Sequence, residues 1–249
     1  MESNQPEARI IEGVETSPNE FPWQVALVNA SRTFFCGGSL LTSKYILTAA
    51  HCLRLPIEQL YILLGTHVFD EKVKPGLMLK ATQTFAHPKH TYQHFLFDIA
   101  IIKMNQSIEY SSTMRPACFP RPNQNYVGRI ATLSGWGYNV PGDYDNRPPI
   151  LMKGNVTIIS LRVCREVYED AKQLSVICTG VKSGQKGPCS GDSGTPLVVL
   201  EKERWNQIGL LSGARECGDP KFPGIFTRVD CYYEWINSIT TDFKFCSPK

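Results

Sequence analysis

Three side chains far apart in the chain have the types that nucleophilic chemistry needs. Ser193 lies in "GPCSGDSGTP", between Asp192 and Gly194, with Gly191 just before. A serine hydroxyl is a weak nucleophile until a neighbouring base takes its proton, and that base must itself be oriented. His51, in "LTAAHC", ends an apolar run beside Cys52 and has the chemistry of such a base. Asp98, in "FLFDIAIIKM", is set among aromatic and aliphatic residues. A carboxylate there is desolvated and needs a specific donor to be tolerated. Taken singly, each residue has an ordinary explanation. Gly, Ser, Asp and Pro fill loops, a histidine can be structural, and an aspartate can cap a strand edge.

The elements that would position these residues are mostly strands. Short runs rich in Val, Ile, Leu and Thr recur along the chain, among them "KYILTAAHC", "LYILLGTHVF", "DIAIIKM", "RIATLSGWG", "NVTIIS", "TPLVVL", "NQIGLLSG" and "GIFTRV". Gly, Pro and Asn punctuate them, and no long helical period intervenes, which argues for an antiparallel barrel or sandwich. Near the end, Tyr232, Ile236, Ile239 and Phe243 repeat at helical spacing and predict a terminal helix over about 231–243. A shorter helical turn is expected at "LRVCREVYED". The Pro-rich "MRPACFPRPNQ" reads as a linker between two β units with a cleft between them.

Composition bounds the partners. With 42% hydrophobic and 20% charged residues the chain is ordinary globular material. A net charge of +3 over scattered Lys and Arg gives no nucleic-acid footprint, and no apolar run approaches the roughly 20 residues of a membrane span. A monomer is expected. The nine cysteines include no C-x-x-C pair, which argues against zinc; their wide spacing suits disulfides made in an oxidising compartment. The odd count leaves at least one cysteine without an internal partner. Sequons at Asn29, Asn105 and Asn155 agree with secretion. The opening "MESNQPEAR" is not a signal peptide, so the signal is expected to be missing or replaced.

Five segments in order carry a family likeness: "IIEGVETSPNEFPWQVAL", "TAAHC", "DIAII", "SGWG" and "GDSGTP". Together they resemble the trypsin/chymotrypsin family of serine endopeptidases, from Ile10 to about residue 243. The resemblance implies two antiparallel six-stranded β-barrels, over about 10–115 and 116–230, with the active site between them, a C-terminal helix and a short tail over 244–249. It implies Ser193 as nucleophile, His51 as general base and then acid, and Asp98 as the group that holds the imidazole. The oxyanion hole falls to the main-chain N–H groups of Gly191 and Ser193. Cutting after Arg9 would free the amine of Ile10 to pair with Asp192, making residues 1–9 the tail of a propeptide. An activating protease and a protein or peptide substrate are the implied partners, with no cofactor and no metal.

The same resemblance pairs Cys36 with Cys52, Cys164 with Cys178, and Cys189 with Cys217. Another common bridge is lost at both ends, to Ala131 and Val199. Cys118 is left to tie the domain to a cleaved N-terminal part, or to pair with Cys231 or Cys246.

Departures from the family bear on specificity. Gly187 stands six positions before Ser193, where trypsin-like members carry an aspartate. With Ala214 and Gly224 at the pocket walls, an apolar pocket for Phe, Tyr, Leu or Met is expected, since a cation buried without a partner costs several kcal/mol. The family's "SWG" reads Ser212, Gly213, Ala214, which removes an apolar platform. Thr195 replaces a glycine after "GDSG", where it either repacks locally or crowds the oxyanion loop. Thr66 stands at a usual ligand position of the calcium loop, which is not convincingly present. His87, His90 and His94, in "HPKHTYQH", are expected on a solvated surface. The complete serine, histidine and aspartate set favours an active endopeptidase. A weakly active or inactive homologue, acting as a binding or regulatory partner, is the alternative.

Overall fold

The computed structural model describes residues 13–69, 76–92, 96–138, 147–168, 175–180, 191–215, 219, 221–241 and 245–246. Two closed six-stranded antiparallel barrels follow one another along the chain.

The first is built from β2 (Gln24–Val28), β3 (Phe34–Leu40), β4 (Tyr45–Thr48), β5 (Tyr61–Leu64), β6 (Leu77–Ala86) and β7 (Ala100–Met104), in the order β2-β3-β4-β7-β6-β5. Strands β2 and β4 are buried at every position, and apart from Gln24 and Thr48 they read as apolar runs rather than alternating ones. The second barrel comprises β8 (Ile130–Gly135), β9 (Met152–Ile159), β10 (Val176–Gly180), β11 (Pro196–Glu201), β12 (Arg204–Gly213) and β13 (Gly224–Arg228). It closes where β8 pairs with both β9 and β11. Closure leaves few unpaired strand edges. A two-residue strand, β1 (Val14–Glu15), pairs with β9, so the start of the described chain is held by the second barrel although it precedes the first.

Helix α1 (Leu161–Val167) lies in the short helical stretch expected from sequence, and Ser160 caps it by accepting from the Arg162 N–H. The terminal helix α2 (Tyr233–Ile239) follows a 3-10 turn, Val229–Tyr232. Turn and helix together pack Tyr232, Ile236 and Ile239 of the predicted stripe on Leu47, Ile99 and Ile101 of the first barrel. Phe243 lies outside the described residues. Ala131 and Val199, which stand where a bridge is lost, are both in the second barrel's core.

Polar and aromatic contacts stitch the barrels together. The Ser134 hydroxyl donates to Gln24 Oε1 at 2.8 Å, and Gln24 Nε2 donates to the Thr195 hydroxyl at 3.4 Å. Trp23 of the first barrel packs 6.2 Å from Trp205 of the second, ring centre to ring centre.

Disulfides join Cys36 to Cys52, Cys164 to Cys178 and Cys118 to Cys246. The last removes Cys118 from any covalent tie to an N-terminal part, because its sulfur is already bonded to the C-terminal tail. Cys231 keeps its thiol at the surface. Cys189 and Cys217 lie outside the described residues.

Candidate active site

His51 stands in a 3-10 turn, Ala50–Cys52, directly after β4. The bond from Cys52 to Cys36 of β3 ties that turn down. Asp98 lies two residues before β7, which pairs with β4, so the sheet register itself brings the two residues together. His51 Nδ1 is 2.7 Å from Asp98 Oδ2, and the His51 main-chain N–H donates to Oδ1 at 2.9 Å. The Ser212 hydroxyl also donates to Oδ2, and the Thr227 hydroxyl holds the Asp98 carbonyl at 2.9 Å.

Asp98 is 2% exposed. Burial on its own pushes a carboxyl up. The bond and charge of His51, the Ser212 hydroxyl and the His51 main-chain donor outweigh it and hold Asp98 below the usual carboxylate value. The residue just before it, Phe97, has a left-handed φ of 56° and stacks on His87 at 5.1 Å. A non-glycine residue in that region is uncommon and is held by its surroundings.

Ser193 comes from the second barrel. Its carbonyl accepts the Gly37 N–H of β3 at 2.7 Å, which fixes the serine against the first barrel. Gly191 and Gly194 have φ of 90° and 77°, where a side chain is strained. At Gly194 an added Cβ would stand 2.4 Å from the Thr48 hydroxyl and 2.5 Å from the Gly37 carbonyl. The Gly191 and Ser193 N–H groups take no acceptor among the described residues, while Gly194 and Thr195 donate to Leu211 and Asp192. His51 and Ser193 line one cleft of about 520 Å³, with Phe35, Arg54 and Leu55.

Asp192 is buried against Gly135 and Gly137, and the Gly137 N–H donates to its Oδ1 at 3.0 Å. Thr195 does not crowd the loop. Its hydroxyl fits between Gly37 and Gly135 and donates to the Ser134 carbonyl at 3.1 Å.

Arg9, Ile10, Gly187 and His94 lie outside the described residues. Gly213 ends β12 opposite Ile225, beyond a bulge, and Gly224 begins β13. Arg215, next after Ala214, extends over the rings of Tyr168 and Phe222. Thr66 donates to the Val68 carbonyl at 2.7 Å. Asn105 and Asn155 are exposed, and Asn29 is half-buried beside the cleft.

The Ser212 hydroxyl is engaged by Asp98. One feature differs from the sequence-based expectation. His87 and His90, expected on a solvated surface, are packed inward: His87 lies against Phe97, Tyr232 and Trp235, and the His90 side chain is 7% exposed. Burial is a property of the folded loop, and the polar composition of "HPKHTYQH" gave no sign of it.

Paired barrels with a histidine–aspartate couple and a serine in one cleft define a chymotrypsin-like serine hydrolase. The chain matches the family described as Trypsin over residues 10–236, and it belongs to that family of serine endopeptidases. It is similar to kallikrein-7 of Homo sapiens, 34% identical over 92% of this chain and 86% of the relative. It is also similar to a venom protease of Bombus pensylvanicus, 32% identical over 90% and 96%. Vitamin K-dependent protein C of Mus musculus is 30% identical over 94% of this chain, which spans about half (52%) of that longer relative.

Proposed function

We propose that the chain is a secreted serine endopeptidase that cuts after apolar or aromatic residues through an acyl-enzyme. The observation that carries this reading is the His51–Asp98 couple opening onto the cleft that Ser193 lines. With Nδ1–H donated to Asp98, the Nε2 lone pair is left to act as base. Ser193 Oγ attacks the scissile carbonyl carbon and its proton passes to His51 Nε2. The carbonyl oxygen becomes an oxyanion facing the Gly191 and Ser193 N–H groups, each such donor removing about 3 kcal/mol of barrier. Asp98 stays ionised and stabilises the imidazolium. The C–N bond then breaks, His51 returns the proton to the leaving amine, and the acyl group stays on Ser193. Water repeats the sequence and frees the acid.

Preference for apolar side chains rests on Gly187 in place of an acid. Activation rests on the family likeness of the Arg9–Ile10 junction, which implies that the Ile10 amine released by cutting after Arg9 pairs with the buried Asp192. Three disulfides among the described residues support an oxidising destination.

The test is a fluorophosphonate probe applied to the chain before and after cleavage at Arg9, with Ser193→Ala as control. Labelling confined to the cleaved form with Ser193 intact is expected. A folded, cleaved chain that takes no label would overturn the catalytic reading, and a peptide-library profile dominated by Arg or Lys would overturn the pocket assignment.

A further inference from the structure

Asp98 has a second imidazole beside it. Nδ1 of His90 lies 3.9 Å from Asp98 Oδ1, while His51 occupies Oδ2. That separation is too long for a hydrogen bond. Both ring nitrogens of His90 are nevertheless buried and without a partner. A neutral imidazole has one N–H to place and an imidazolium has two, so an enclosed histidine with neither nitrogen satisfied is under pressure to use the nearby carboxylate.

We propose that His90 is a positioning residue that shares Asp98 with His51. When His90 takes a proton it pairs with Oδ1, and the negative charge it engages no longer supports the imidazolium of His51. This rests on the catalytic reading of His51 and Asp98 given above.

The surroundings of His90 among the described residues are mixed. Asp98 Oδ1 is the carboxylate oxygen beside it, and Lys89 precedes it in the same turn. His87 is coupled to it as well, being itself pushed down by burial, then by Lys89 and His90. The Tyr92 ring centre is 5.1 Å from that of His90, with the two rings steeply inclined, and the Arg54 guanidinium lies 5.8 Å from the Tyr92 ring centre. Tyr232, from the turn before α2, is pushed up by burial and, among lesser causes, by the charge of Asp98. Asp98 is therefore the acidic group facing this histidine, with cations behind it.

Two imidazoles on one carboxylate titrate as a coupled pair, and the second proton binds less tightly than the first. A proton on His51 abolishes its role as base; a proton on His90 weakens it. Both lower activity, so the acid limb of kcat/KM falls at a higher pH than His51 alone would set. For equal proton affinities the displacement reaches about 0.3 pH unit, about twofold in normalised activity on the acid side, when a proton on His90 is as damaging as one on His51. It is smaller otherwise.

The experiment uses the full chain cleaved after Arg9, with His90→Gln, His90→Tyr and His51→Gln variants. Imidazole NMR titrations and kcat/KM are followed from about pH 4.5 to about pH 9. Tyr stays uncharged over nearly all of that range and fills the volume if Gln fails to fold. Expected first is that the lower of the two histidine midpoints rises by about half a pH unit or more when the other histidine is replaced. Expected second is that the acid limb of both His90 variants shifts to lower pH, relative to their own alkaline plateau. Midpoints of His51 and His90 that ignore each other, in an active enzyme, would overturn the proposal and leave the protease reading standing. Coupled midpoints in an inactive enzyme would uphold the shared carboxylate and sink the catalytic reading instead.

Discussion

His51 and Asp98 meet twice. The ring nitrogen Nδ1 reaches one carboxylate oxygen at 2.7 Å, and the main-chain N–H of the same histidine donates to the other at 2.9 Å. The double hold fixes both the tautomer and the tilt of the imidazole. Asp98→Asn keeps the shape but offers an amide to a ring N–H that needs an acceptor. We expect kcat to fall by about 10⁴-fold with KM little changed, measured on the cleaved chain with an apolar ester or peptide substrate.

Acid stability should report on the same carboxylate. Asp98 is held below its ordinary value of 3.8 because its donors outweigh burial. A depressed folded value contributes stability that is complete above the unfolded value and lost as pH falls through the folded one. Ser212→Ala removes a buried donor to a charged acceptor, a loss of about 1.5–3 kcal/mol at neutral pH. Urea unfolding of both proteins at about pH 7 and about pH 3 should show the gap between them narrowing on acidification. A gap independent of pH would mean that Ser212 does not act on the ionised form.

Thr195 is expected to matter for the barrel seam more than for the chemistry. Thr195→Val conserves shape while stranding the Ser134 carbonyl and the Gln24 amide, at a cost of about 1–3 kcal/mol. Where the variant remains folded, kcat/KM should stay within about threefold, under 1 kcal/mol of barrier. Denaturant unfolding and steady-state kinetics on one preparation separate the two effects.

Arg54 is the fixed positive charge among the described residues that line the cleft. Substrates with an acidic residue near the scissile bond should therefore be cut faster than otherwise identical ones carrying lysine. Arg54 is exposed, so Arg54→Gln should erase at most about fivefold of that difference, roughly the 0.2–1 kcal/mol of an exposed ion pair. Paired peptides at low and high salt make the comparison, and the preference should shrink as salt rises.

Much of the fold was legible because its signals are local. The β runs, the stripe of Tyr232, Ile236 and Ile239, and the short helix at Leu161–Val167 each follow from periodicity and capping over a few residues. Two barrels with His51, Asp98 and Ser193 in the site could be expected only from five segments taken in order, since no local pattern says that residues 47 and 95 positions apart will meet. What escaped was everything decided by side-chain direction. The bond from the Ser212 hydroxyl to Asp98 depends on the way β12 turns that side chain. His90 looked solvated because its neighbours are polar, yet the turn holding it folds inward. Thr195 had two readings, and the cavity between Gly37 and Gly135 selects the harmless one. Cys118 had three candidate fates, and only spatial proximity to Cys246 chooses among them.

The Gly37 N–H joins the first barrel to the carbonyl of Ser193 in the second, at 2.7 Å. Neither half of the molecule therefore owns the attacking group and its base. A slip of a fraction of an ångström along this join would misalign the hydroxyl while leaving both barrels intact. Heat or denaturant should accordingly silence such a molecule before it melts, with the loss recovered on cooling.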